Sequence, residues 1–187
     1  LSARHHIYPI RHRHVDEYHR FYRGTGVIQP MIRYDEADAL LYDHYAPGLS
    51  GDVRFYLEEA MQAGPPVLEI GCGTGQILIS IAEAGIEIIG VDPAPAMLSL
   101  ARNKVVRLSS EIRSRINLID GDMQTFALAQ RFPLIIVTYR TFMHLLTQAA
   151  QEKALNNIRK HLTPDGRLIF NIFDPRHDII AKEEHKS

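Results

Sequence analysis

The sequence of 187 residues predicts an α/β fold, a doubly wound and mostly parallel sheet with helices on both faces. Three observations lead there. Short apolar runs at 67–70, 86–91, 116–119, 134–138 and 167–173 alternate with stretches of helical period. Those runs are apolar nearly throughout, as strands covered on both faces must be, rather than alternating between apolar and polar. A stretch carrying Gly71, Gly73 and Gly75 lies between the first run and the helix after it.

Each element has a local reason. Glu36–Tyr45 reads as a short helix. Over 52–63, Val53, Tyr56, Leu57, Ala60 and Met61 fall on one face at i, i+3 and i+4, and Gly64 with Pro65 and Pro66 stops the helix. Val67–Ile70 is the first strand, Gln76–Ala84 an apolar helix closed by Gly85, and Ile86–Val91 the second strand. Pro95, whose fixed φ suits a first helical position, opens a helix continued by Met97, Leu98, Ala101, Lys104, Val105 and Leu108. Ile116–Ile119 and Leu134–Thr138 are the third and fourth strands. The helix Gln148–His161 ends at the turn Thr163-Pro164-Asp165-Gly166, and Arg167–Phe173 is the fifth strand.

Composition removes several classes. Apolar residues at 45% and charged residues at 23% are the mix of a globular chain with a sizeable core, and the length suits one domain. With 21 basic and 22 acidic residues the net charge of −1 supplies no drive toward polyanions. A single cysteine, Cys72, excludes an internal disulfide framework and a cysteine-based zinc site. No apolar run approaches a membrane span, and the first twenty residues lack the apolar core of a secretory signal, so a cytoplasmic protein without a membrane partner is expected.

Charge is unevenly spread. Residues 1–33 carry six arginines and five histidines, with Tyr8, Tyr18, Phe21 and Tyr22 interleaved, whereas 34–52 has five acids and no Lys or Arg. The first block is set apart as an N-terminal basic and aromatic extension, and 34–187 as the domain. Such an arm suits phosphates or stacked bases; the absence of Lys clusters and of an RNA-module signature favours a solvated extension whose aromatics pack onto the domain.

In a parallel sheet of this kind the ligand lies beyond the carboxyl ends of the strands. There the chain reads Glu69-Ile70-Gly71-Cys72-Gly73-Thr74-Gly75, glycines that let a ligand rest on bare main chain at a helix N-terminus. A dinucleotide fingerprint needs G-x-G-x-x-G; here Gln76 stands where the third glycine would fall. Asp92 follows the second strand, and an acid there accepts from both hydroxyls of a ribose in any adenosine ligand.

These residues carry a resemblance. Val67–Gly75 resembles the first motif of class I S-adenosylmethionine-dependent methyltransferases, which have a Rossmann-like fold. Gly90-Val91-Asp92-Pro93-Ala94-Pro95-Ala96-Met97-Leu98 is similar to their second motif, Gly121-Asp122-Met123 to the segment that holds adenine, and Leu162–Leu168 to the turn into their fifth strand. The resemblance implies S-adenosylmethionine as cofactor and S-adenosylhomocysteine as product. It implies that Glu69 fixes the glycine loop and reaches the methionine ammonium, that Gly71 and Gly73 offer backbone, and that Asp92 holds the ribose diol. It further implies that Asp122 accepts from the adenine amino group, with the Met123 N–H donating to a ring nitrogen. Cys72, Gly75 and Pro93 join the cofactor-binding set by their place in the motifs. Asp122 as a helix N-cap, with Asp120 as the ligand, is the competing assignment; for Met97 it is a place in the core, and for Cys72 small-residue packing.

A sulfonium brings its own activated methyl, so the protein mainly aligns an acceptor and excludes water. Aromatic faces near the sulfonium are favourable, and Tyr42, before the first strand, is a candidate for a lid. The resemblance implies that the backbone near Tyr139 contacts the methionine ammonium, and His144 is the candidate general base. No Asn-Pro-Pro-Tyr motif and no Pro-Cys nucleophile is present, and no carboxylate lies at 137–140 for magnesium. The expected function is metal-free, in-line methyl transfer to N or O of a small-molecule acceptor. The alternatives are an RNA methyltransferase using the arginine-rich arm, a non-catalytic adenosyl-binding module, and an NAD-dependent oxidoreductase. The fourteen residues after Phe173 are too few for a helix and two strands, so the family's last two strands are expected to be missing and the domain incomplete at its C-terminal side. The chain opens on Leu1 rather than Met, which suggests processing or truncation.

Overall fold

The structure is a computed structural model that describes residues 36–46, 48 and 51–172. The expected basic extension at 1–33, Phe173 and the fourteen residues after it lie outside the described residues. Helices α1 (Glu36–Tyr45) and α2 (Asp52–Ala63) precede β1 (Val67–Ile70), α3 (Gln76–Glu83), β2 (Ile88–Asp92), α4 (Pro95–Val105) and the single turn α5 (Ser110–Arg113). Then come β3 (Ile116–Asp120), β4 (Phe132–Val137), a 3-10 turn at Thr141–His144, α6 (Gln148–His161) and β5 (Leu162–Phe170).

All neighbouring strands run parallel, in the order β3-β2-β1-β4-β5. The winding direction therefore reverses between β1 and β4, and a crevice opens beyond their carboxyl ends. Side chains alternate between the two faces of the sheet. Val67, Ile88, Leu134 and Ile136 pack with Tyr56 and Ala60 of α2 and Leu78, Ile81 and Ala82 of α3. Leu68, Ile70, Val91, Ile135 and Val137 pack with Ala154 and Ile158 of α6. By the same alternation Glu69, Asp92 and Thr138 fall on the α2–α4 face, the first two in adjacent strands.

Several boundaries differ from the sequence expectation. The second strand starts at Ile88, not Ile86, because Ile86 belongs to the stop signal of α3. Gly85 takes φ 92°, its N–H bonds the Ala82 carbonyl at 3.0 Å, and the Ile86 N–H bonds the Ile81 carbonyl at 3.3 Å. That is the left-handed helix ending that glycine permits. The fourth strand begins two residues earlier than expected, at Phe132. Pro133 has no N–H, and there the pairing with β5 jumps from Phe132–Leu162 to Leu134–Arg167. Residues 163–166, read as a turn, are that interruption, so β5 starts before the turn and ends at Phe170. On α2 the buried stripe is Tyr56 and Ala60; Val53 at 43% and Met61 at 65% exposure stand off it, which narrows the expected apolar face.

Candidate active site

The glycine loop is shaped by main chain. Gly71, Gly73 and Gly75 take φ of 72°, 53° and 83°, a region that L side chains rarely adopt. The Gly71 and Cys72 N–H groups both donate to the Val91 carbonyl, at 2.7 and 3.2 Å, which sews the loop to the end of β2. A Cβ on Gly71 would lie 2.1 Å from Thr141 Cγ2, whereas one on Gly73 would meet nothing within 4 Å. Gly71 is thus bare because the segment after β4 presses on it, and Gly73 leaves space above the loop.

Asp92, 6% exposed, sits at the last position of β2. Its Oδ2 accepts from the Gly73 N–H and its Oδ1 from the Ala94 N–H, both at 2.8 Å. Burial pushes its carboxyl above the usual range against those two bonds, and Asp120, its register partner on β3, pushes the same way. Each oxygen keeps a second lone pair, and a diol has two hydroxyls to give. Gly121 donates to the Asp92 carbonyl at 3.1 Å, so Asp122 comes to the neighbouring strand end. The Asp122 Oδ1 accepts from the Gln124 N–H at 2.7 Å, closing a turn rather than capping a helix. Met123 is buried beside it, Pro93 is exposed after β2, and Met97 is buried in α4 at 2% exposure.

On the neighbouring strand β1 lies Glu69, 1% exposed. Its Oε1 accepts from the Thr138 hydroxyl at 2.9 Å; its Oε2 is buried without a hydrogen-bond partner. Burial is the main reason its carboxyl is pushed up to about 8; the Thr138 bond and the Leu78 main chain oppose this, and the Asp92 charge adds to it. Tyr42, Tyr56, Glu69, Gly71, Gly73 and Tyr139 are among the residues that line one cleft. Tyr139 has φ 57°, and it is the one non-glycine residue with positive φ among those described. Asp92, Asp122 and Met123 lie outside that lining, and so does His144, which is half-buried at the end of the 3-10 turn, where burial lowers its pKa. Cys72 contributes main chain; its thiol packs toward Gly90 in the core, where burial first and then the Glu69 and Asp92 charges push its pKa up.

Residues that sequence reasoning did not single out complete the site. Asp43 of α1 accepts from the Thr74 hydroxyl at 2.5 Å and from Gln76 Nε2 at 2.8 Å, and it pairs with Lys104 of α4. This ties the helix carrying Tyr42 onto the glycine loop. Tyr56 donates to Asn171 Oδ1 just beyond β5, while burial and the charges of Asp52 and Glu69 hold its phenol well above the usual range. Among the described residues no helix is long and apolar enough to cross a membrane.

An adenosine joined to an amino acid fits these groups. The orphaned Oε2 of Glu69 lacks a donor such as an ammonium, Asp92 has lone pairs for a diol, and the space over Gly73 has no side chain in it.

Comparison with known proteins points the same way. The sequence profile of the methyltransferase-domain family matches residues 67–166. The chain is 30% identical over 147 residues to the cypemycin N-terminal methyltransferase of a Streptomyces species, covering 76% of this chain and 57% of that protein. Among solved structures, the CcbJ methyltransferase of Streptomyces caelestis superposes with a TM-score of 0.63 at 26% identity, over 70% of this chain and 54% of that one. The glycopeptide N-methyltransferase MtfA, in complex with S-adenosyl-L-methionine, superposes with a TM-score of 0.59 at 25% identity, over 68% and 55%. The chain therefore spans little more than half the length of these relatives. With a family profile matched over more than half of the sequence and the parallel sheet to go with it, the chain belongs to the class I, Rossmann-like family of S-adenosylmethionine-dependent methyltransferases.

Proposed function

We propose that this chain binds S-adenosylmethionine and serves methyl transfer to a nitrogen of a small-molecule acceptor. The observation that carries the reading is the buried, partnerless Oε2 of Glu69 in a cleft floored by glycine main chain, one strand away from Asp92. Nitrogen is preferred over oxygen because the glycopeptide enzyme is by name an N-methyltransferase, and the cypemycin enzyme by name acts at an N-terminus. The domain begins near residue 34, with 1–33 as an extension of it.

When bound, S-adenosylmethionine supplies an activated methyl on a sulfonium, which a lone pair aligned with the S–CH₃ bond displaces without a metal. Glu69 receives the ammonium of the methionine part and the glycine loop bears its main chain. Asp92 takes the ribose hydroxyls, and Asp122 with the Met123 N–H takes the adenine edge. Tyr42 and Tyr139 border the cleft with aromatic faces suited to a cation. A neutral amine attacks without first losing a proton, so its transfer needs alignment and a dry cleft more than a base. Where the acceptor must lose one, His144, kept neutral by burial, is the candidate.

Calorimetry tests the reading. The chain binds S-adenosylmethionine, and Asp92→Ala weakens that binding by at least about tenfold, since a hydrogen bond to a charged group contributes about 1.5–3 kcal/mol. Unchanged affinity overturns it, and binding of NADH without S-adenosylmethionine moves the chain to the oxidoreductases.

A further inference from the structure

The connection from β3 to β4, residues 121–131, is the one crossover of the described sheet that holds no helix. Yet Met123 and Phe126 within it are 8% and 6% exposed, so this loop takes its main chain into the core. Buried main-chain polar groups need partners. Two side chains of α6, one turn apart, supply them. Asn157 Nδ2 donates to the Met123 carbonyl at 3.3 Å and to the Phe126 carbonyl at 3.0 Å. His161 Nε2 accepts from the Leu128 N–H at 3.1 Å, and its ring lies against that of Phe126 with centroids 4.4 Å apart. Because Nε2 receives a proton donor, the ring hydrogen is assigned to Nδ1, which donates to the Asn157 carbonyl at 2.9 Å.

The turn itself is tied from within. The Gln124 N–H goes to Asp122 Oδ1, and the Thr125 and Phe126 N–H groups go to the Asp122 carbonyl at 3.0 and 2.8 Å. Among the main-chain donors from Met123 to Phe126, these bonds leave that of Met123. Its carbonyl, on the next peptide unit, is held by Asn157, so the orientation of α6 sets that of the donor.

We propose that Asn157 and His161 are positioning residues for base recognition. They hold 123–128 from behind so that Asp122 and the Met123 N–H meet an adenine edge, and so they set the preference for adenine over other purines. This rests on the function proposed above, in which that segment takes the adenine. A plainly structural role would weaken every nucleoside ligand alike; a positioning role changes the choice between bases.

The test uses calorimetry with S-adenosylhomocysteine and S-inosylhomocysteine, whose base carries an oxygen in place of the amino group and a proton on the adjacent ring nitrogen. The wild-type chain prefers the adenine compound. Asn157→Leu keeps the forked shape of the side chain, though not its volume, and removes both donors. Its affinity for S-adenosylhomocysteine falls about tenfold, as loss of two neutral hydrogen bonds implies, while that for the inosine compound changes less than about twofold. His161→Phe, which keeps the ring contact and loses the acceptor, acts in the same direction, and His161→Gln, which keeps an acceptor, restores the preference. Should Asn157→Leu fail to fold, the Phe and Gln variants at 161 decide alone. Equal weakening of both ligands, or an unmoved preference in folded variants, overturns the proposal. Asp92→Ala separates this from the underlying reading, because it acts on the ribose and weakens both ligands equally. Wild-type chain that binds neither ligand overturns both.

Discussion

Asp92, the acid proposed for the adenosine part, has each carboxylate oxygen bonded to a main-chain N–H, whereas Glu69, proposed for the methionine part, keeps Oε2 buried without a partner. The contrast extends to the neighbours. The adenosine side is fastened by the Asp122 turn and by Asn157 and His161 of α6. The methionine side has Tyr139 at φ 57° and a helix, α1, held onto the loop by Asp43 and by the Ala46 carbonyl just after it, which accepts from Gln76 Nε2 at 3.2 Å. A buried acceptor left unpaired costs about 1–3 kcal/mol, and a left-handed non-glycine residue about 1–2 kcal/mol. The adenosine side is therefore the more fully bonded of the two, with the Met123 N–H the donor its turn leaves over, while an unpaired buried acceptor and a left-handed residue lie on the methionine side.

The change that tests this division hardest is Gly71→Ala, at the junction of the two sides. It puts a side chain at φ 72° and drives its Cβ to 2.1 Å from Thr141 Cγ2, so the 3-10 turn must move away from the loop. Overpacking costs about 1–3 kcal/mol beyond the strain of the backbone. The expected result is a lower melting temperature together with loss of S-adenosylmethionine binding by calorimetry. Gly73→Ala, facing open space, shares the strain but not the clash, and melts closer to the wild type. Equal melting temperatures for the two variants would contradict the packing of Thr141 on Gly71.

The difference between the sides also governs what could be read from sequence. Glycines at alternate positions and an acid after the next strand are local patterns, so the loop and Asp92 were legible within about twenty residues of each other. Thr138 bonds Glu69 across 69 positions, Asn157 reaches Phe126 across 31 and Asp43 reaches Thr74 across 31, and no spacing rule connects such pairs before the fold exists. For α2 the period was right while the width of its buried stripe was not, because only the packing of α3 and the sheet decides that Val53 and Met61 stay out. The turn at 163–166 was legible from its Pro, Asp and Gly, but its place inside β5 depends on Pro133 in the neighbouring strand.

A smaller and sharper probe of the methionine side is pH. Folding raises the Glu69 carboxyl from its ordinary 4.5 to about 8, chiefly by burial. For an acid raised in this way the folded chain keeps a proton that the unfolded chain releases, so its contribution to stability falls as pH rises from about 4.5 to about 8. A cationic ammonium reverses the preference, since it favours the carboxylate. Binding then expels a proton, and affinity rises with pH by up to about tenfold per unit until the carboxyl is ionised. Above that, the ligand's own α-amino group, with an ordinary pKa of about 7.7–8.0, begins to lose its charge. Glu69→Gln should remove the rising limb and leave the falling one, as read by calorimetry in buffers of different ionisation enthalpy. A rising limb that survives in Glu69→Gln would assign it to another group.

The mildest effect should come from Asp43, and it tells the hold on α1 apart from the buried acceptor. Burial raises the Asp43 carboxyl, but the bonds from Lys104, Thr74 and Gln76 outweigh it and bring the pKa below the ordinary 3.8. For an acid lowered in this way the stabilisation is present at neutral pH and lost only as pH falls through the folded-state value. Its window therefore lies in acid, clear of the one in which Glu69 acts. The Asp43 side chain is 42% exposed, so its pairing with Lys104 is screened and contributes at most about 1 kcal/mol. Asp43→Ala should thus leave the pH profile of binding between about 5 and 8 in place and speed ligand dissociation by a few-fold, measured by stopped flow, because the helix carrying Tyr42 loses its tie to Thr74 and Gln76. A changed slope in that pH range would mean that the helix and the buried carboxylate act as one unit, and that the methionine side is more rigid than its few polar ties imply.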